Sequence, residues 1–200
     1  MTDRLEGQNR LRGLLVAFAL LGSTTWAQAE DPIARGTKEV GLGGAISISH
    51  GTDNDFNTVT GLQLLPHVGY VATDAMGPGW VRGNLELMLE PALLRLETEA
   101  RSSTAVGLSA VGRWVLAGSA IRPYFDVGAG ALLGEMNLPQ TDCDVNFVLQ
   151  GGPGVLIVLS DSTTLAVGYR FQHISNAGAC TINPGINSSA LYLSVNYLFR

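Results

Sequence analysis

The sequence predicts an all-β protein, an eight-stranded antiparallel transmembrane β-barrel, and three observations support this fold class. Segments of about ten or more residues alternate between apolar and polar side chains, turn-forming residues separate these segments, and charged residues make up only 14% of the 200 residues. Alternation with a period of two is the pattern of a strand whose two faces meet different surroundings. Beyond residue 29 no stretch has the spacing of a long helix.

The N-terminus predicts an exported protein. Arg10 and Arg12 precede a short apolar run, and an Ala-Gln-Ala sequence that ends at residue 29 has the form that signal peptidase reads. The apolar run is too short for a membrane-spanning helix, which needs about 20 residues. We therefore expect residues 1–29 to be a signal peptide and residues 30–200 to be a single barrel domain.

The charge of the mature chain excludes some classes of partner. The whole chain has 12 Lys and Arg and 17 Asp and Glu; the leader holds three of the former and two of the latter, which leaves nine and fifteen. The formal charge is then −6 and no basic run remains, so nucleic acid is not an expected partner. No group of His, Cys and Asp has the spacing of metal ligands, so we expect no metal and no other cofactor.

Eight alternating segments are the predicted strands. They lie near residues 38–50, 57–72, 80–95, 104–117, 123–135, 145–160, 163–175 and 188–199. The connections alternate in kind, since "GTDNDFN", "TEARSST", "EMNLPQTDCD" and "NAGACTINPGIN" are polar and mostly longer, whereas "DAMGPG", "GSAIRP" and "DS" are short turns. This organisation is typical of a transmembrane barrel. With both termini in the periplasm, the four longer loops would face the outside of the cell.

The two faces of the strands predict what fills the barrel. In the seventh strand the odd-numbered residues from Leu165 to Phe171 are apolar, and the even-numbered ones include Arg170 and Gln172. The polar faces of all strands together hold side chains of both charge signs: Glu39, Gln63, His67, Arg82, Glu86, Glu90, Arg113, Asp126, Gln150, Arg170 and Gln172. An eight-stranded barrel is just wide enough for side chains to fill its interior. We expect a paired, hydrogen-bonded plug because unpaired buried charges are costly.

A soluble barrel of the lipocalin type is the alternative architecture. It would show the same alternation, with the apolar side chains inside and the charges outside. The apolar faces are nearly unbroken, and the chain ends in alternating aromatics, "LYLSVNYLFR". That ending resembles the assembly signal of bacterial outer-membrane barrels, although Arg200 follows the final aromatic. The sequence therefore favours the outer membrane.

His173 and Ser175 form a candidate nucleophile–base pair at the outer end of the seventh strand. They continue the odd-numbered, lipid-facing register, and residues at i and i+2 can approach within a hydrogen bond of about 2.6–3.2 Å. In acyl transfer the histidine would take the proton as Ser175 Oγ attacks an ester carbonyl. Asn176 and the Ala-Gly that follows it offer an amide and backbone N–H groups to a developing oxyanion.

The quoted residues resemble a known family. "HISNAG" at 173–178, "NPGIN" at 183–187 and the aromatic last strand resemble the PagL lipid A deacylases, within the broader group of acyloxyacyl hydrolases. The resemblance implies a hydrolase of the bacterial outer membrane that removes the ester-linked 3-hydroxyacyl chain at the 3-position of lipid A, the membrane anchor of lipopolysaccharide, without a metal. It assigns His173 as the general base and Ser175 as the nucleophile, and it places Asn176 and the Gly178 amide in the oxyanion hole.

The third catalytic position departs from the family pattern. The family has a glutamate just after the Pro-x-Gly turn, where this chain has Asn187. Asparagine can orient a histidine, but it cannot stabilise an imidazolium as a carboxylate does, so a slower enzyme is expected. Asp142 and Asp144 are alternative third members. A catalytically weak or inactive barrel with a structural or surface-interaction role is the alternative function.

The remaining expectations concern the cysteines, the other histidines and the oligomeric state. Cys143 and Cys180 are the only two cysteines of an exported chain, so a structural disulfide between them is predicted. A disulfide to Cys180 would draw Asp142 and Asp144 towards the site loop. His67 is expected inside the barrel and His50 at a rim, without a visible partner. Whether the barrel forms a homodimer is left open.

Overall fold

Eight antiparallel strands form a closed barrel in the computed structural model, which describes residues 31–50 and 58–200. Each strand pairs with the next along the chain, and the first pairs with the last. The strands are β1 Lys38–Ser49, β2 Thr60–Val71, β3 Gly83–Glu97, β4 Ser102–Leu116, β5 Ile121–Leu133, β6 Val145–Ser160, β7 Thr163–Ser175 and β8 Ile186–Phe199. The predicted fold class is confirmed.

Two connections differ from the prediction. The β3–β4 connection is a tight turn of residues 98–101, because Thr98 and Arg101 bond to each other through their backbones. The β2–β3 connection is longer than expected, since it includes a 3-10 turn at Gly79–Val81. No helix in the described part of the chain is long and apolar enough to cross a membrane. The predicted signal peptide lies outside the described residues and stays a prediction.

The outer surface of the strands is apolar. Along β8 the even-numbered side chains from Tyr192 to Leu198 are buried, whereas the odd-numbered ones from Leu191 to Phe199 are 43–59% exposed. The same alternation runs along β2 and β7. An outward apolar surface suits a lipid bilayer and would be unfavourable in water. The soluble alternative, with charges outside, is therefore wrong.

The barrel interior holds a connected ion-pair network at its middle. Arg113 Nε lies 2.8 Å from Asp126 Oδ1, and Arg170 bridges Glu90 and Asp126 at 2.7 Å and 3.0 Å. The Arg170 guanidinium also stacks over the ring of Tyr192, 4.0 Å from its centroid. Each of these four charges thus has an opposite charge beside it, which offsets the cost of removing it from water.

Amide side chains extend this network towards the loop end of β7. Gln63 and Gln172 bond to each other at 2.6 Å, Gln172 donates to Gln150, and Gln150 donates to Glu90. Elsewhere in the interior His67 Nε2 lies 3.0 Å from a carboxylate oxygen of Glu39. The predicted plug and the interior position of His67 are confirmed.

Arg82 is not part of the plug. It was expected on the inner face of the third strand, but it is exposed and precedes β3. The reason is the turn at Gly79–Val81, since the Arg82 amide bonds to the Gly79 carbonyl in that turn. The alternating pattern in the sequence continued through Arg82, but the strand does not.

An apolar cluster closes the interior at the end of the barrel that carries the loops 134–144 and 176–185. It contains ten buried residues: Val59, Leu94, Leu96, Ala105, Leu132, Met136, Leu138, Val148, Ile174 and Ile186. Ile174 of β7 and Ile186 of β8 are paired across the two strands. Their neighbours on the same strands therefore point outward, and the candidate site lies there.

Candidate functional site

Strand pairing brings His173 and Asn187 together on the outer face of the barrel. The two residues are direct partners in the β7–β8 ladder, and His173 Nδ1 lies 2.7 Å from Asn187 Oδ1. Both side chains are half-buried, while Ile174 and Ile186 behind them are buried. Because side chains alternate across a strand, the buried isoleucines fix the outward direction of the histidine and the asparagine.

Ser175 is the last residue of β7 and lies on the same face as His173. It is half-buried and is paired with Phe147 of β6. The strand thus places the imidazole and the hydroxyl two residues apart on one face, at the end of the barrel that carries the loops 134–144 and 176–185. The chemical roles of both residues stay predictions.

Gly185 is a residue of the site that the sequence reasoning missed. Its φ is +76°, a conformation that only glycine adopts without strain. A Cβ there would lie 3.1 Å from His173 Cε1 and 3.6 Å from Ser175 Cβ. The returning loop therefore packs closely against both side chains, and the Pro-Gly pair of "NPGIN" was the signal in the sequence for this turn.

Asn176 holds the loop together from a fully buried position. Its side-chain amide donates to the Ile182 carbonyl at 2.8 Å and to Thr141 Oγ1 at 3.3 Å. Its Oδ1 accepts the Gly178 N–H at 2.9 Å, and its own backbone N–H donates to Asn183 Oδ1. The two groups assigned to the oxyanion hole are thus bonded to each other here. Their oxyanion role stays a prediction, and it requires these bonds to be exchanged for bonds to substrate.

A disulfide joins the two loops beside the site. Cys143 and Cys180 are bonded, with Cα atoms 5.7 Å apart, as predicted. Asp142 Oδ1 accepts the Ile182 N–H at 3.2 Å, so this carboxylate is bound to the loop. Asp144 is exposed and contributes its backbone carbonyl to a bond with Gly134. Within the described residues, the hydrogen-bond partner of the His173 ring is Asn187.

His50 has partners, contrary to the expectation from the sequence. Its Nε2 lies 2.8 Å from Ser189 Oγ, and its ring stacks on Phe171 with centroids 6.2 Å apart. The expectation failed because the contact crosses the β1–β8 closure, which joins the two ends of the described chain. Tyr169 OH lies 3.0 Å from the same serine oxygen.

Apolar grooves lie on the outer surface of the described part of the barrel. One of about 320 Å³ runs along β1, β7 and β8 and is lined by Ile46, Ser47, Ile48, Tyr169, Ser189, Ala190 and Leu191. A larger one of about 450 Å³ lies over β2, β3 and β4. The smaller groove is the relevant one, because it shares strands β7 and β8 with His173 and Asn187. In residues 31–50 and 58–200 no group of three or more His, Cys, Asp or Glu could hold a metal ion.

A family comparison covers most of the described barrel. The family model for PagL, lipid A 3-O-deacylase, matches residues 67–196, which include the site and most of the barrel. The chain belongs to the PagL family. No curated protein sequence matches it.

Solved structures show the same fold as this PagL-family barrel. The crystal structure of the outer membrane enzyme PagL matches with a TM-score of 0.56 and 18% identity, over 78% of this chain and 97% of that one. The crystal structure of Neisserial surface protein A matches with a TM-score of 0.59 and 16% identity, over 82% and 100%. At such identities the likeness concerns the fold alone. Family and fold together identify a bacterial outer-membrane β-barrel.

Proposed function

We propose that this protein is an outer-membrane lipid A deacylase that hydrolyses the ester-linked 3-hydroxyacyl chain at the 3-position. The observation that carries the proposal is the His173–Asn187 pair beside Ser175 on the lipid-facing side of a PagL-family barrel. An ionisable side chain on a lipid-facing surface is costly and is by default a functional candidate. The bond to Asn187 also gives the imidazole a defined orientation.

The proposed chemistry begins with the histidine tautomer. When Asn187 Oδ1 accepts a hydrogen bond from Nδ1–H, the other ring nitrogen, Nε2, is unprotonated and can act as a base. His173 Nε2 removes the proton from Ser175 Oγ as that oxygen attacks the ester carbonyl carbon. The bond between this carbon and the sugar oxygen breaks, and the sugar oxygen takes the proton from His173.

The second half of the reaction releases the acyl chain. Water loses a proton to His173 and attacks the carbonyl carbon of the acyl-Ser175 ester, which then separates as a free hydroxy acid while Ser175 recovers its proton. A neutral asparagine stabilises the imidazolium less than a carboxylate would. We therefore expect turnover to be slow, with Asn187 as the third member of the triad.

The position of the site suits a substrate that stays in the membrane. We infer that the end of the barrel with the loops 134–144 and 176–185 faces the outside of the cell, so that the site meets lipid A of the outer leaflet by lateral diffusion. The acyl chain would lie in the groove of about 320 Å³ along β1, β7 and β8. Because β1 pairs with β8, one chain closes the barrel and no described strand edge is left for a second copy; a homodimer is not part of the proposal.

A catalytically inactive barrel with a structural or surface-interaction role is the second candidate. The observation that favours it is the amide at position 187, where the family pattern has a carboxylate. The same fold also occurs in a protein that is named as a surface protein, Neisserial surface protein A, which matches with a TM-score of 0.59. The two candidates differ in whether lipid A changes.

The deciding experiment is mass spectrometry of lipid A from cells that express the protein, beside cells that express Ser175→Ala. A matched control is Ser102→Ala, an exposed serine at the start of β4 on the same end of the barrel. The proposal expects loss of one hydroxyacyl mass with the parent protein and with Ser102→Ala, and none with Ser175→Ala. Heat-modifiable gel mobility checks that each barrel is folded. Unchanged lipid A with a folded parent barrel would establish the second candidate.

A further inference from the structure

A second polar cluster lies on the outer surface of the barrel, beside the candidate site. His50, which directly follows β1, Ser189 of β8 and Tyr169 of β7 are joined by hydrogen bonds of 2.8 Å and 3.0 Å through the serine oxygen. The deacylation chemistry described above uses none of these three side chains. Their surroundings are apolar, since the neighbours Ile48 and Leu191 are 54% and 59% exposed on the same surface.

The cluster belongs to the lipid-facing side and not to the interior plug. Ser189 is half-buried, whereas its neighbours Ser188 and Ala190 are buried inside the barrel. Polar groups on this face forgo the hydrogen bonds of water, so they are costly unless they are bonded. Three such groups, bonded together, are therefore an unusual feature for a surface that contacts only hydrocarbon.

The cluster adjoins the candidate catalytic residues and forms part of the groove. Ser189 follows Asn187 by two residues on the same face of β8, which corresponds to about 7 Å along the strand. The His50 backbone N–H donates to the Asn187 carbonyl at 2.7 Å, which ties the two positions together. Tyr169 and Ser189 line the adjacent end of the groove. An acyl chain that extends from Ser175 into the groove would contact Tyr169 and Ser189.

The second ring nitrogen of His50 determines which kind of group the cluster can bind. The His50 Nε2 contacts the serine oxygen, and within residues 31–50 and 58–200 the other ring nitrogen, Nδ1, has no hydrogen-bond partner; the Phe171 ring stacks against the same imidazole. Nδ1 donates in one neutral tautomer and accepts in the other. A hydroxyl group can accept or donate, so it fits both tautomers. A phosphate can only accept, and an anion among apolar side chains is costly.

We propose that His50, Ser189 and Tyr169 form a subsite that binds a hydroxyl group on the acyl chain, close to the ester that is cleaved. The subsite selects hydroxyacyl esters over unsubstituted acyl esters of the same length. This inference rests on the proposed function, because it places the scissile ester at Ser175. His50 and Ser189 are specificity residues, and neither touches the reacting carbonyl.

The first test compares two synthetic esters of equal chain length, one 3-hydroxyacyl and one unsubstituted, with the purified barrel in detergent micelles. The parent protein is expected to prefer the hydroxyacyl ester in kcat/KM by about fivefold or more, the value of one net hydrogen bond. Ser189→Ala and His50→Phe, which keeps the aromatic stack, are expected to abolish this preference, because kcat/KM falls more for the hydroxyacyl ester than for the unsubstituted ester. Thr104→Ala, an exposed outward residue of β4, is the matched control. Equal losses on both esters, or an unchanged preference, would overturn the inference.

The second test does not need turnover. Nuclear magnetic resonance of the histidine rings is recorded for Ser175→Ala in micelles, with a 3-hydroxyacyl amide or an unsubstituted acyl amide added. The subsite predicts a larger shift of the His50 signals with the hydroxyacyl amide than with the unsubstituted amide. This difference should disappear in the double variant that carries both Ser175→Ala and Ser189→Ala. A selective shift without ester turnover in the parent would refute the proposed function and keep the subsite. Turnover without a selective shift would refute the subsite alone. The absence of both turnover and a selective shift would refute the subsite and the proposed function together.

Discussion

Asn187 lies directly opposite His173 across the β7–β8 ladder, and its Oδ1 is 2.7 Å from the His173 Nδ1. The geometry is that of a catalytic base and its orienting partner, but the partner is neutral. Orientation and charge stabilisation are thus separated at this site, since the amide provides the first and cannot provide the second.

Restoring the charge is expected to accelerate the enzyme. Asn187→Asp has the same shape, keeps the oxygen on His173 and adds a negative charge that stabilises the imidazolium formed during attack. We expect kcat to rise by about tenfold or more. Asn183→Asp is the matched control, because it makes the same change in the loop that precedes β8, while its oxygen still accepts the Asn176 N–H. A kcat for Asn187→Asp at or below that of the parent would show that the missing charge does not limit the rate.

The close packing of Gly185 leads to a second prediction. Gly185→Ala places a methyl group 3.1 Å from His173 Cε1 and also strains a backbone with φ of +76°. Gly36→Ala strains a similar backbone, with φ of +90°, but meets no atom within 4 Å. Both variants are expected to lose about 1 kcal/mol of stability. Only Gly185→Ala should lower kcat, and an equal kcat in the two variants would contradict the tight contact with the imidazole.

The disulfide is expected to protect the site rather than the barrel. Cys143 and Cys180 join two loops whose ends are already fixed by β6 and β7, so the barrel itself does not depend on the bond. A double substitution, Cys143→Ser with Cys180→Ser, should lower the temperature at which activity is lost. The temperature at which heat-modifiable gel mobility changes should stay the same. A parallel fall of both temperatures would mean that the bond stabilises the whole barrel.

The interior ion pairs give a prediction about folding. Arg170→Met leaves the carboxylates of Glu90 and Asp126 without their shared cation in the buried interior. Breaking a buried pair in this way costs about 3–5 kcal/mol of unfolding free energy. Arg95→Met removes an exposed pair with Glu97 and should cost about 1 kcal/mol or less. Urea titration of the barrels folded in micelles measures both values, and similar losses would show that the interior network contributes little.

The sequence predicted most of the fold and part of the site, and both predictions rest on the alternation of side chains along a strand. Alternation along a strand is a local property, so the inward position of Arg170 and the outward position of His173 follow from the period of two. Arg82 shows where this reasoning ends, because an alternating pattern can continue into a turn. Asn176 shows another limit, since a buried amide can stabilise a loop as well as an oxyanion and its sequence position is the same in both cases.

By itself the sequence determined the strand number, the faces of each strand, the pairing of its only two cysteines and the neighbouring positions of His173 and Ser175. Only the tertiary structure decided which residues of different strands meet. The contact of His50 with Ser189 joins residues 139 positions apart, and it depends on the register with which β1 closes against β8. Register between distant strands is set by packing around the whole barrel, so no local pattern contains it.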